Sequence, residues 1–359
     1  MTELTFDTQW AYRLGKPEST GQLKVKPEDF VVKENLGYEL SEDGEHIFLW
    51  VEKQGLNTAY VAEALAKFTG LPLRQVTYAG RKDKHAITQQ WFGLHAPKGI
   101  KVNPADMDLP GFKVLSTHKH HKKLKVGQLE GNHFSITLRN VTQMDLVEQR
   151  LNIIKQEGVP NYFGDQRFGV MVTPEGKVQM GGTLFLGLRM VSGEVIRNRN
   201  KRNMALSSLR SALFNTLVSQ RIADNLFEKI SIGDACSLIG SNSYFIEDGE
   251  SLEASQLRYE KRDISPTAPL VGISKNSVTG TILEWENNVL SLHENIIATL
   301  RNEGLSSMRR AMRLWPTELE WRTDGDKLHI QFGLPAGCFA TSVLRECIHL
   351  QPSDDSGND

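Results

Sequence analysis

The hydrophobic pattern switches between the period of a strand and that of a helix, and the switches outline the architecture. Residues 22–35 and 46–53 (HIFLWVEK) are rich in β-branched and aromatic side chains and predict strands. From Asn57 and Thr58, which are suited to capping, the period lengthens to that of a helix ending near Lys67. Its apolar face is Tyr60, Val61, Leu65 and Phe68, and Gly70 and Pro72 terminate it. Residues 76–79, 87–94, 112–117 and 133–141 read as further strands. In the last, Phe134, Ile136 and Leu138 alternate with Ser135, Thr137 and Arg139, so one face is buried. Thr142 with Asp145 resembles a capping box and opens a helix to about Gln156.

Gly158-Val159-Pro160 breaks this pattern, and as far as about Gly304 the reading is mainly helical. The clearest helix is 206–229, with Leu206, Leu209, Leu213 and Leu217 on one face; another covers about 287–301. Residues 231–285 are rich in Gly, Ser and Asn and show little period. Strands return at 319–322 and 327–332 around Thr323-Asp324-Gly325-Asp326, a hairpin turn sequence, and a final helix covers about 339–350. The fold class is therefore α+β. The order predicts a sheet domain, residues 1–157 plus 313–350, interrupted by an inserted and largely helical domain, 158–312. An acidic, disordered tail is expected at 351–359.

Composition narrows the class. The chain has 359 residues, 39% hydrophobic and 24% charged, which suits two domains with their own cores. No apolar run approaches the roughly 18 residues of a membrane helix, and the N-terminus has no secretory pattern. Cys236, Cys338 and Cys347 have no CxxC spacing, which fits a reducing, cytoplasmic setting and argues against a cysteine-built zinc site.

The net charge of −1, from 42 basic and 43 acidic side chains, argues at first against a nucleic-acid partner. The charge is segregated, however. Residues 1–50 carry five basic and ten acidic groups, whereas 81–139 carry eleven basic and four acidic groups with six histidines. Residues 196–210 add five basic groups and no acid. Such segregation can build a local positive field on a neutral protein.

Several chemistries are absent from the sequence. There is no GxGxxG after a strand, no GxxxxGK[ST], no GxSxG, and no zinc-deaminase pair of motifs. His118-Lys119-His120-His121 has metal-like composition, but Lys122, Lys123 and Lys125 follow it and repel a cation. It reads as a phosphate-facing or solvated loop, and no metal is expected. Gly80-Arg81-Lys82-Asp83-Lys84-His85-Ala86 is the most informative segment. One carboxylate lies among four cationic or potentially cationic neighbours, which favour its ionised form. A carboxylate held unprotonated suits a nucleophile better than a general acid.

GRKDKHA resembles the GxKDxxA signature of the TruD family of tRNA pseudouridine synthases. Four further blocks, in order, carry the same resemblance. They are the segment from Lys24 to Glu34 (KVKPEDFVVKE), Gly131-Asn132-His133-Phe134 with Leu138-Arg139, the junction Val159 to Gly169 (VPNYFGDQRFG), and the segment from Leu334 to Glu346 (LPAGCFATSVLRE). The closest likeness is to the bacterial enzyme acting on uridine 13 of tRNA.

The resemblance implies a pseudouridine-synthase catalytic domain with a mixed, mostly antiparallel sheet, an inserted TRUD domain, and RNA entering between them. It implies tRNA as partner, no protein partner, no cofactor, and Asp83 as the catalytic aspartate. Asp83 could attack ribose C1′, attack the pyrimidine ring, or abstract a ribose proton. Phe30, Phe134 and Phe339 are candidates for stacking on the flipped base, each also fitting a core position. Asn132 suits the uracil edge or loop ordering, and Lys24 suits Asp83 or a phosphate. Arg81, Lys82, Lys122, Lys123, Arg199, Lys201 and Arg202 are candidate phosphate contacts, with solvated faces as the alternative.

Overall fold

The computed structural model describes residues 6–172, 178–241, 243–274 and 277–351. The expected acidic tail lies almost wholly outside them. The chain divides into two compact units. One comprises residues 18–149, 316–337 and 348–359, and the other residues 1–17, 150–315 and 338–347.

The first unit is built on a ten-stranded sheet. In chain order its strands begin with β1 (Thr20–Leu23), β2 (Phe30–Asn35) and β3 (His46–Lys53). Helix α1 (Thr58–Thr69) follows, then β4 (Val76–Tyr78), β5 (Ile87–His95), β6 (Phe112–His120) and β7 (Gly131–Arg139). A hairpin, Thr317–Asp324 with Lys327–Pro335, and a short strand, His349–Gln351, complete it. Pairing is mostly antiparallel; β2 with β5 and β1 with His349–Gln351 are parallel. The sheet is therefore mixed, as the fold class requires. Gly70 closes α1 in the left-handed conformation, where the absence of a Cβ removes the penalty.

At the centre of the sheet β7 lies between β2 and the second hairpin strand. Phe30 pairs with Ile136, Val32 with Phe134 and Glu34 with Asn132. On the other side Ile330, Phe332 and Leu334 oppose the same three β7 residues. Because side chains alternate along a strand, these positions share one face. Gly131 starts β7 where a Cβ would lie 2.3 Å from the Leu334 carbonyl oxygen, so only glycine allows this strand approach.

The second unit has a helical core. Helix Arg199–Ala223 buries Leu206, Leu209, Leu213 and Leu217 against helix Gly182–Val191 and its neighbours. It begins seven residues earlier than the apolar pattern indicates, because its first turn is polar and exposed; Asn198 caps it by accepting the Lys201 amide at 3.0 Å.

Helices make up most of the regular structure of this segment, as expected. It also contains a four-stranded sheet of Ala235–Leu238, Tyr244–Ile246, Ile264–Leu270 and Met308–Ala311. Ile264–Leu270 is covered on both faces and carries two prolines, so neither alternation nor β propensity reveals it. The compact units are also cut differently from the expected domains. Residues 1–17 and 338–347 cluster with 150–315, in part because Trp10 packs on Tyr162 and Phe168.

Candidate active site

Gly80–Ala86 follows β4 and leads into β5. The Asp83 side chain is 19% exposed and forms an ion pair with Lys24, while its Oδ1 accepts the His85 amide at 2.9 Å. Burial works to raise the Asp83 pKa, but the charge and hydrogen bond of Lys24, and then the His85 amide, outweigh it. The carboxyl is held below its ordinary range. Asp83 is thus an anion at neutral pH, able to act as nucleophile or base.

The loop is fixed from beneath by buried polar groups. Lys53 donates to the Leu56 carbonyl at 2.8 Å and to the Asp83 carbonyl at 3.1 Å. Burial, with Lys82 acting in the same direction against Asp83, lowers the Lys53 pKa to about 8. Lys82 Nζ donates to Glu34 at 2.5 Å, and the other Glu34 oxygen accepts the Trp91 amide at 2.8 Å. Thr58 Oγ1 accepts the Lys82 amide at 3.0 Å, and the Gly55 amide donates to the Lys84 carbonyl at 3.1 Å. Successive loop residues are therefore each tied to a rigid element, which lowers the entropic cost of a fixed Asp83 geometry.

On the face of the sheet described above, Phe30 packs edge-on against Phe134 at 6.1 Å, and Phe134 stacks on Phe332 at 5.5 Å. Lys24 Nζ sits 4.4 Å from the Phe30 ring centroid. Asn132 Oδ1 is buried and has no hydrogen-bond partner among the described residues. A buried acceptor without a partner is costly and marks a place for a donor from a ligand.

A family model for tRNA pseudouridine synthase D (TruD) matches residues 9–177 and 196–347, most of the chain. The chain belongs to the TruD family.

Other members agree with this family assignment. The chain is 48% identical over 346 residues to the tRNA pseudouridine synthase D of Pseudoalteromonas atlantica, covering 96% of this chain and 97% of that one. It is 42% identical over 338 residues to the Proteus mirabilis protein of the same description, covering 94% of each. A crystal structure from Methanosarcina mazei, assigned to TruD, superposes with a TM-score of 0.69 at 22% identity, covering 94% of this chain and 95% of that one. That likeness speaks to the fold. The chain is an enzyme of the tRNA pseudouridine synthase class.

Within this TruD frame the expected residues divide. Asp83, Lys24, Phe30, Asn132 and Phe134 fall in the sheet unit. Phe134 and Phe30 are only 7% and 5% exposed, and their ring neighbours are Phe332 and Lys24. Phe339 belongs to the other unit, where it lies edge-on to Phe163 at 5.8 Å. Of the expected phosphate contacts, Arg81, Lys122, Lys123, Arg199 and Lys201 are exposed. Lys82 is not free for that task, because Glu34 holds its ammonium in a largely buried pair, and Arg202 is ion-paired with Glu303.

The expected 118–121 loop is also corrected. β6 continues to His120, which stacks on Tyr38 at 5.5 Å, while His118 binds Glu42 at 2.8 Å. Among the described residues, the ligand-type atoms that converge are instead those of Glu45, His46 and His95, within 4.8 Å of one another. Sequence reasoning missed Lys53, which lies in no motif. It also left Glu34 without a role, although Glu34 ends the Lys24 block.

A pH test follows from the Lys24 pair. In Lys24→Met the charge that opposes burial is gone, so the Asp83 pKa rises. The acid limb of kcat/KM should move to higher pH. A profile from about pH 4 to about pH 8 measures this; an unmoved limb would show that Lys24 does not set the charge of Asp83.

Among the described residues, no helix is long and apolar enough to cross a membrane.

Proposed function

We propose that this enzyme isomerises uridine 13 in the D arm of tRNA, with Asp83 as the catalytic aspartate. The reaction breaks the N1–C1′ bond of uridine and forms a C5–C1′ bond. The C5 proton is released and N1 gains one, so no oxidant, reductant or cofactor is consumed. An ionised Asp83 serves attack on C1′, attack on the ring, or abstraction of a ribose proton. The observation that carries the reading is this half-buried carboxylate, kept anionic by Lys24 on a loop held at consecutive residues.

The remaining assignments have local support. The unsatisfied Asn132 Oδ1 suits the imide N–H of a flipped uracil. Phe30 and Phe134 supply an apolar floor, and Phe339 is assigned to RNA stacking. The family membership and the relatives' names support tRNA as the substrate.

Tritium release from tRNA labelled at uridine C5 tests the function. One tritium per molecule is expected from tRNA with uridine 13, and none from that position when cytidine replaces it. Undiminished release from the cytidine variant would remove the site assignment. No release from any tRNA would remove the function.

Lys122 and Lys123 are proposed to neutralise RNA phosphates. Their double replacement by Ala should weaken tRNA binding and flatten the dependence of log K on log salt. The slope should change by about 0.7–0.9 for each phosphate left unneutralised. Wild-type affinity of the double variant at both low and high salt would exclude both from the footprint.

A further inference from the structure

The junction motif contains a cation that the reaction does not use. Arg167 closes the short turn Asp165–Arg167. Its guanidinium lies 5.3 Å from the Phe163 ring centroid and 5.8 Å from that of Phe339. One nitrogen donates to Ser207 Oγ at 3.1 Å, while Nε is buried with no hydrogen-bond partner among the described residues. No carboxylate lies within ion-pair distance of Arg167 among them.

A second cation stands beside it. Arg310, from Met308–Ala311, lies 4.3 Å from the same Phe163 ring and donates to Asn161 Oδ1 at 2.6 Å. Burial depresses the pKa of both guanidinium groups, and the charge of Arg310 depresses that of Arg167 further.

Two adjacent cations in a desolvated setting repel each other, and Ser207 Oγ, the hydrogen-bond partner of Arg167, carries no charge to offset this. Cation–π contact with Phe163 offsets part of this cost. An oxyanion would remove the repulsion and satisfy the idle Arg167 Nε. The ligand chemistry that fits is a phosphodiester, which a guanidinium binds through two parallel hydrogen bonds.

We infer that Arg167, backed by Arg310 on the Phe163–Phe339 aromatic pair, is a clamp for a backbone phosphate of the substrate RNA. This rests on the tRNA reading above and adds to it a defined anion site in the second unit.

The test compares full-length wild type, Arg167→Gln and Arg167→Lys, using unmodified tRNA as the probe. Dissociation constants are measured across about 50–200 mM salt, with tritium-release kinetics and melting temperatures alongside. Arg167→Gln should weaken binding about tenfold and flatten the salt slope by about 0.7–0.9. KM should rise by a similar factor while kcat at saturating tRNA is retained.

Arg167→Lys keeps the charge but not the fork. It should keep the salt slope and lose roughly threefold in affinity. If Arg167→Gln fails to fold, the lysine variant decides alone, and wild-type affinity in it overturns the clamp. A purely structural staple would lower the melting temperature with affinity and slope unchanged, which also overturns it. Wild-type tritium release separates the two levels: if it persists while the variants bind normally, only the clamp fails. If it is absent, the tRNA reading itself fails.

Discussion

Asp83→Asn protein should bind tRNA and release essentially no tritium, a loss of roughly 10³–10⁶-fold in turnover. The substitution preserves size and can still accept the His85 amide, so the loop should keep its shape. What it removes is the negative charge that Lys24 holds in place and that each of the three candidate roles requires. Single-turnover tritium release with excess enzyme isolates the chemical step from binding. Full turnover in this variant would remove Asp83 from the mechanism while leaving the activity of the wild type standing.

The second large effect is on stability and lies far from any motif. Arg221 and Asp234 are both fully buried and joined by two hydrogen bonds, at 2.7 and 2.6 Å. Arg221 also donates to the Leu226 and Lys229 carbonyls, and Asp234 accepts the Ser231 amide. Burial works against the charge of Arg221, but Asp234 more than compensates and the guanidinium pKa is raised. Asp234→Ala leaves this cation without its counter-charge and should cost about 3–5 kcal/mol. For a unit of this size that is a fall of roughly 5–20 °C in melting temperature. The paired replacement Arg221→Met with Asp234→Leu should recover much of the loss, since no buried charge then remains. Thermal denaturation of wild type and the two variants checks this; a loss below about 1 kcal/mol in Asp234→Ala would show that water reaches the pair.

These two predictions come from different sources of information. Asp83 stood out as a candidate because its loop chemistry is local, a turn glycine, a carboxylate and several cations within seven residues, although that pattern alone also fits a charged surface turn. The five ordered blocks added the family. Most strands and α1 were also legible, because in a sheet with one covered face the period of two survives in the sequence. The double-covered strand Ile264–Leu270 was not legible, since burial on both sides erases that period. Nor was the extension of β6 through His118 and His120. Their composition suggested a loop, whereas Glu42, Tyr38 and Phe48 accommodate their rings.

Charge was the least legible property. The run 81–139 counts Lys82 as a free cation, yet Glu34, 48 residues earlier, neutralises it. Arg202 is neutralised by Glu303, 101 residues later. Lys53 looks like any strand lysine until β3 and the loop place its ammonium under the Asp83 carbonyl.

By itself, then, the sequence determined the α+β class and the family, because each is written in residues close together or in ordered motifs, and it nominated Asp83 as the candidate carboxylate. Only the tertiary structure decided which charges are available and which are consumed. Ion pairing and desolvation depend on distances of a few ångströms between residues tens to hundreds of positions apart, and no local pattern encodes those distances.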